Sequence, residues 1–104
     1  MKLAISVIVM ITAMIAPASA QEKTIVRRAP ACIEQEYVVE FYKLSRQNPS
    51  MGQLAEFLRT HQCIALNSGD RVKIEKEDMQ GLYYCVRVPA QDRCYWVRHA
   101  AFKR

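Results

Sequence analysis

Two histidines, two runs of carboxylates, four cysteines and a single tryptophan are the residues of this chain with chemistry to offer. A catalytic histidine needs a nucleophile to deprotonate or an acid to orient its ring. Neither His61 nor His99 stands in a motif that supplies one, so both read as surface or capping residues. Glu75, Glu77 and Asp78 form one acidic cluster; Glu34, Glu36 and Glu40 form another. Paired carboxylates hydrolyse glycosides when they flank the bond in a walled cleft. A chain of 104 residues is one small domain with little material for such walls. The first cluster therefore reads as a solvated loop and the second as a solvated helix face.

The cysteines point to cross-linking. Cys32, Cys63, Cys85 and Cys94 are an even set in a short chain, the pattern of a small exported domain with two disulfides. Four cysteines allow three pairings. Cys85 and Cys94 flank an expected hairpin, which favours joining them and leaves Cys32 for Cys63. No C-x₂-C pair exists, so a zinc site is not expected, nor any other metal or cofactor.

Export is written at the N-terminus. Met1-Lys2 is a positive start, and Leu3 to Ala16 is an apolar run broken only by Ser6 and Thr12. Pro17 ends the run, and Ala18-Ser19-Ala20 is an A-x-A cleavage signal. Residues 1–20 thus read as a secretory signal peptide, its run shorter than the roughly 20 residues that span a bilayer. No transmembrane segment is expected after processing, and the product would be periplasmic or secreted. Losing Lys2 changes the balance from 15 basic against 10 acidic side chains to 14 against 10.

The elements that must position these residues follow from periodicity. Residues 21–31 (QEKTIVRRAPA) are polar, basic and interrupted by Pro30, and read as a flexible N-terminal segment. Ile33 to Gln47 reads as a helix with Ile33, Tyr37, Phe41 and Leu44 on one stripe. Its acidic start and basic end complement the helix dipole. Pro49 to Gln62 reads as a second helix, with Met51, Leu54, Ala55 and Leu58 at helical spacing. Asn48 and a Ser50/Gln53 capping box compete for its start. From Cys63 the period becomes two. Strands are expected at 63–66, 71–75, 82–88 and 93–98, with a turn at 67–70 and a polar loop at 76–81.

The last two strands form a hairpin whose faces can be assigned. Setting Cys85 opposite Cys94 also sets Tyr83 opposite Trp96 and Arg87 opposite Asp92. The other face carries Leu82, Tyr84, Val86, Val88, Tyr95 and Val97, is the more apolar, and should be the core. Tyr83, Arg87, Trp96 and Arg98 then share the disulfide face. They are the candidate ligand-binding residues, because aromatic and arginine side chains dominate binding hot spots.

The segments Cys63-Ile64-Ala65-Leu66-Asn67-Ser68-Gly69-Asp70-Arg71-Val72-Lys73-Ile74, Gly81-Leu82-Tyr83-Tyr84-Cys85-Val86-Arg87-Val88 and Tyr95-Trp96-Val97 resemble bacterial SH3-like domains of the SH3b type. They are similar to that family's "x-x-G-x-x-V-x-V", "G-W-x-x-V" and "G-W-V" signals. The resemblance covers residues 63–102. The family's opening "L-N-V-R-x-G-P" segment is absent and the cysteines are not part of its pattern. Members often bind cell-wall peptides or other envelope ligands.

The resulting expectation is an α+β fold: two N-terminal helices, within residues 32–62, packed on a small SH3-like antiparallel β-sheet, residues 63–104. Residues 32–104 would fold as one unit stapled by two disulfides. The formal net charge of +5 would suggest nucleic acid in a cytosolic protein, but export directs it to an envelope protein or cell-wall component. The function expected is a small exported bacterial envelope module that binds a protein or cell-wall ligand without catalysis. The alternative is an inhibitor or accessory factor docking onto another exported protein or a secretion apparatus; a small hydrolase is the third reading.

Overall fold

The computed structural model describes residues 21–104; the expected signal peptide lies outside the described residues. The described chain runs β1 (Gln21–Thr24), β2 (Ala29–Cys32), α1 (Gln35–Ser45), α2 (Met51–Thr60), β3 (Cys63–Leu66), β4 (Arg71–Glu77), β5 (Tyr83–Arg87), β6 (Cys94–Arg98) and a 3₁₀ turn, His99–Phe102. The strands form one antiparallel sheet in the order β1-β4-β5-β6-β2-β3. No helix among the described residues is long and apolar enough to cross a membrane.

The α+β class and the two disulfides hold, but the expected arrangement is corrected. The helices do not precede the sheet. They are inserted into it, between β2 and β3, and the segment expected to be flexible supplies two of the six strands. β1 is a polar edge strand, Gln-Glu-Lys-Thr, with no apolar alternation to announce it. β2 is Ala-Pro-Ala-Cys, buried through small side chains. Pro30 has no N–H for a ladder, and β2 is in register with β6 only at Cys32 opposite Trp96.

The inner face of the sheet is the main core. Val72 of β4, Val86 of β5 and Tyr95 and Val97 of β6 meet Ala29 and Ala31 of β2 and Leu66 of β3. Each side chain is the inward member of its strand's alternation. A fully buried valine or leucine contributes roughly 1.5–3 kcal/mol. Ile25, 1% exposed, closes one end. Its N–H donates to the Asp70 carbonyl (2.8 Å) and its own carbonyl accepts from Gly69 (2.8 Å). Gly69 makes that turn at φ +98°, where a side chain would be strained. Val26 and Arg27 then both donate to the Ala101 carbonyl, at 2.8 and 3.0 Å, tying the crossing chain to the 3₁₀ turn.

The helices lie on the outer side. α1 packs against β2 and β6, and α2 against β3. Val38 is the buried residue of α1, whereas α2 buries none. Of the competing caps, Ser50 is the one used. The Gln53 N–H donates to Ser50 Oγ (3.1 Å), and the Ser50 N–H donates to Gln53 Oε1 (2.9 Å). Asn48 instead takes a left-handed φ of 57° between the helices, a conformation asparagine tolerates.

Cys32 is bonded to Cys63 across the β2–β3 pair, with Cα atoms 4.0 Å apart. Cys85 is bonded to Cys94, Cα atoms 5.3 Å apart. All four thiols are thus oxidised, which suits an oxidising environment.

Candidate site on the disulfide face

The final hairpin differs from expectation by a two-residue slip. Cys85 faces Trp96, Arg87 faces Cys94, and Tyr83 faces Arg98, so the Cys85–Cys94 bridge runs diagonally. The expected oppositions of Tyr83 with Trp96 and of Arg87 with Asp92 are not formed. A slip of two preserves side-chain parity. Tyr83, Cys85, Arg87, Cys94, Trp96 and Arg98 therefore still share the outer face, and Val86 and Val97 remain inside.

A bulge in β4 completes that face. Ile74 pairs with Val86 and Lys76 with Cys85, leaving Glu75 as the extra residue. A bulge re-aims the side chains beyond it. Here it places Lys76 on the outer side with Glu75, where unbroken alternation would have turned it inward. Both line a polar groove of about 440 Å³ beside the Cys85–Cys94 bridge, together with Arg87, Asp92, Arg93 and Trp96. Ile33 and Glu34, just before α1, close it on the helical side. The Arg87 Nε donates to Glu75 Oε2 at 2.6 Å. That hydrogen bond holds the guanidinium even more firmly in its charged form. Lys76, Arg93, Glu34 and Asp92 remain as charges of both signs around the half-buried indole.

α1 covers the rest of the face and divides the four candidate residues. The guanidinium of Arg98 lies 4.2 Å from the centroid of the Tyr42 ring. Such a cation–π contact is worth about 0.5–2 kcal/mol. Arg98 is thus engaged in seating α1 on β6. With Tyr83 it borders a separate depression of about 170 Å³, closed by Leu82, His99, Ala100 and Lys103. Arg87 and Trp96 share the larger groove; Tyr83 and Arg98 do not reach it. Sequence reasoning missed Lys76 and Arg93 as groove residues. The Lys76 position depends on the bulge, which leaves no mark in the hydrophobic pattern.

The histidines are absorbed in packing. His61 stacks on Phe57 (ring centroids 3.8 Å apart) and meets Tyr37 edge-on; His99 is edge-on to Tyr84. Among the described residues no group of three or more His, Cys, Asp or Glu side chains could hold a metal ion.

Burial pushes the Tyr42 hydroxyl above its ordinary pKa, and Arg98 draws it part of the way back. The folded value lies above the unfolded one. The associated stability is therefore present below the ordinary tyrosine range, near pH 10, and is lost as pH rises through the folded value. Tyr42→Phe, with no proton to lose, should flatten the alkaline decline of the urea midpoint. An unchanged slope would show that Tyr42 does not couple folding to pH.

Comparison with protein-family models, curated proteins and solved structures finds no match to this chain.

Proposed function

We propose that the protein is a small exported module of the bacterial envelope, periplasmic or secreted. In this reading it binds a polar peptide, borne by the cell wall or by another envelope protein, without catalysing a reaction. The observation that carries the reading is the groove beside the Cys85–Cys94 bridge. A half-buried tryptophan stands there among charges of both signs, on a hairpin held by a disulfide. Aromatic side chains of this kind anchor interfaces, with charged groups around them setting orientation. The resemblance of residues 63–102 to SH3-like domains that bind cell-wall peptides supports the same reading.

Trp96 is the only tryptophan in the chain, so its emission reports on the groove directly. Titration with soluble cell-wall peptide fragments should shift that emission in a saturable way. Trp96→Ala should weaken retention on insoluble peptidoglycan, or on a partner recovered from periplasmic extract, by about 2 kcal/mol or more. Its melting temperature should stay near that of the parent. Binding that survives the substitution would place the ligand elsewhere; loss of the fold would make Trp96 a packing residue.

A further inference from the structure

A second groove lies outside the site just described and shares none of its residues. Its volume is about 470 Å³. Phe41 and Tyr42 of α1 form one wall, Met51, Leu54 and Leu58 of α2 the other, and the small side chains of Pro30 and Ala65 leave space on the sheet between them.

Three observations converge on it. First, Met51, Leu54, Ala55 and Leu58 fall at helical spacing, yet α2 buries no residue and Met51 is 81% exposed. Along the stripe that lines the groove, Met51 and Ala55 are exposed and Leu54 and Leu58 only half-buried. Second, β3 is the last strand of the sheet, so one side of its backbone is unpaired by any other strand. Its sequence, Cys-Ile-Ala-Leu, carries none of the charges that usually guard an edge, whereas β1 at the opposite edge carries Glu22 and Lys23. Third, the groove has one charged lining residue, the exposed Arg28, and no carboxylate. The ion pairs among the described residues are Arg59–Glu56, Arg71–Glu22 and Arg87–Glu75, and Arg28 is in none of them.

We infer that this groove docks a short apolar segment of a partner protein, with an aspartate or glutamate beside it to meet Arg28. The charge also argues against a second copy of this chain. A two-fold interface sets the same patch against itself, which would bring two Arg28 side chains into one interface with no carboxylate lining it.

The test uses a phage-displayed random peptide library selected on immobilised protein, followed by affinity measurement with an enriched synthetic peptide. The parent should enrich peptides with two or more large apolar residues and an adjacent Asp or Glu. Arg28→Glu, an exposed charge reversal, should enrich Lys or Arg at that place instead. Ala65→Arg, an exposed position on the edge strand, should raise the Kd of the parent's peptide by about tenfold or more at an unchanged melting temperature. Trp96→Ala should leave that Kd unchanged, which separates this groove from the one proposed above. Enrichment indifferent to Arg28→Glu and Ala65→Arg would overturn the inference. So would a dimer in sedimentation that Ala65→Arg dissolves, or binding to phosphatidylglycerol vesicles that Ala65→Arg abolishes.

Discussion

Val86→Asp is expected to leave the protein unfolded at room temperature. Val86 has 0% of its surface exposed and stands on β5, with β4 on one side and β6 on the other. Val72, Val97, Tyr95 and Leu66 share its cluster, which contains no charged member. A carboxylate there has no cation to pair with, and a buried, uncompensated charge costs about 3–5 kcal/mol. The lost transfer energy of the valine adds roughly 1.5–3 kcal/mol. Folded domains hold roughly 0.05–0.15 kcal/mol per residue, or about 4–13 kcal/mol for residues 21–104. The combined loss of about 4.5–8 kcal/mol matches or exceeds the lower half of that margin. Near-ultraviolet circular dichroism should lose its aromatic signal, and no cooperative thermal transition should remain. A variant that melts like the parent would mean that the inner and outer faces of the sheet are interchanged.

The second large effect concerns the bridges, and here the two should differ. The bond between Cys32 and Cys63 spans 31 residues of sequence and that between Cys85 and Cys94 spans 9. In the chain-entropy account a closed loop of that larger size stabilises by about 3.7 kcal/mol, and one of the smaller size by about 2.6 kcal/mol. The double variant Cys32→Ala/Cys63→Ala should lower the unfolding free energy by about 1 kcal/mol more than Cys85→Ala/Cys94→Ala does. Packing does not favour either bridge, since each joins one fully buried cysteine, Cys32 or Cys85, to one half-buried partner, Cys63 or Cys94. Urea titration of both variants provides the comparison. Equal losses, or a larger loss for the short bridge, would show that native-state packing, not loop closure, sets the contribution.

What the sequence disclosed depended on bulk and repetition. β4 alternates apolar with charged residues, β3, β5 and β6 are short runs rich in apolar and aromatic side chains between turn residues, and both helices carry apolar side chains at three- and four-residue spacing. These elements could be read within a few residues of their ends. β1 and β2 could not. An edge strand with one half-buried residue in four has no alternation, and a strand built of alanine, proline and cysteine is buried by fit between its neighbours. That fit exists only once β6 and β3 are in place. The candidate site was legible to the level of parity. Which residues share the disulfide face follows from period two, whereas their division into two depressions follows from where α1 lies. The position of α1 was hidden because placing it required β2.

The Cα atoms of Cys32 and Cys63 are 4.0 Å apart, close to the 3.8 Å between neighbouring residues in a chain. The polypeptide thus leaves the sheet and returns to it at almost the same point, with the helical pair held as a clasped cassette. Residues 33–62 can in principle be exchanged for a short hairpin turn without changing where β2 and β3 lie. The sheet is a frame open to other insertions at that clasp, and the cassette brings with it the α1 and α2 walls of the apolar groove. Specificity at that groove can then diverge by replacement of the insert, while the strands that carry Trp96 stay as they are.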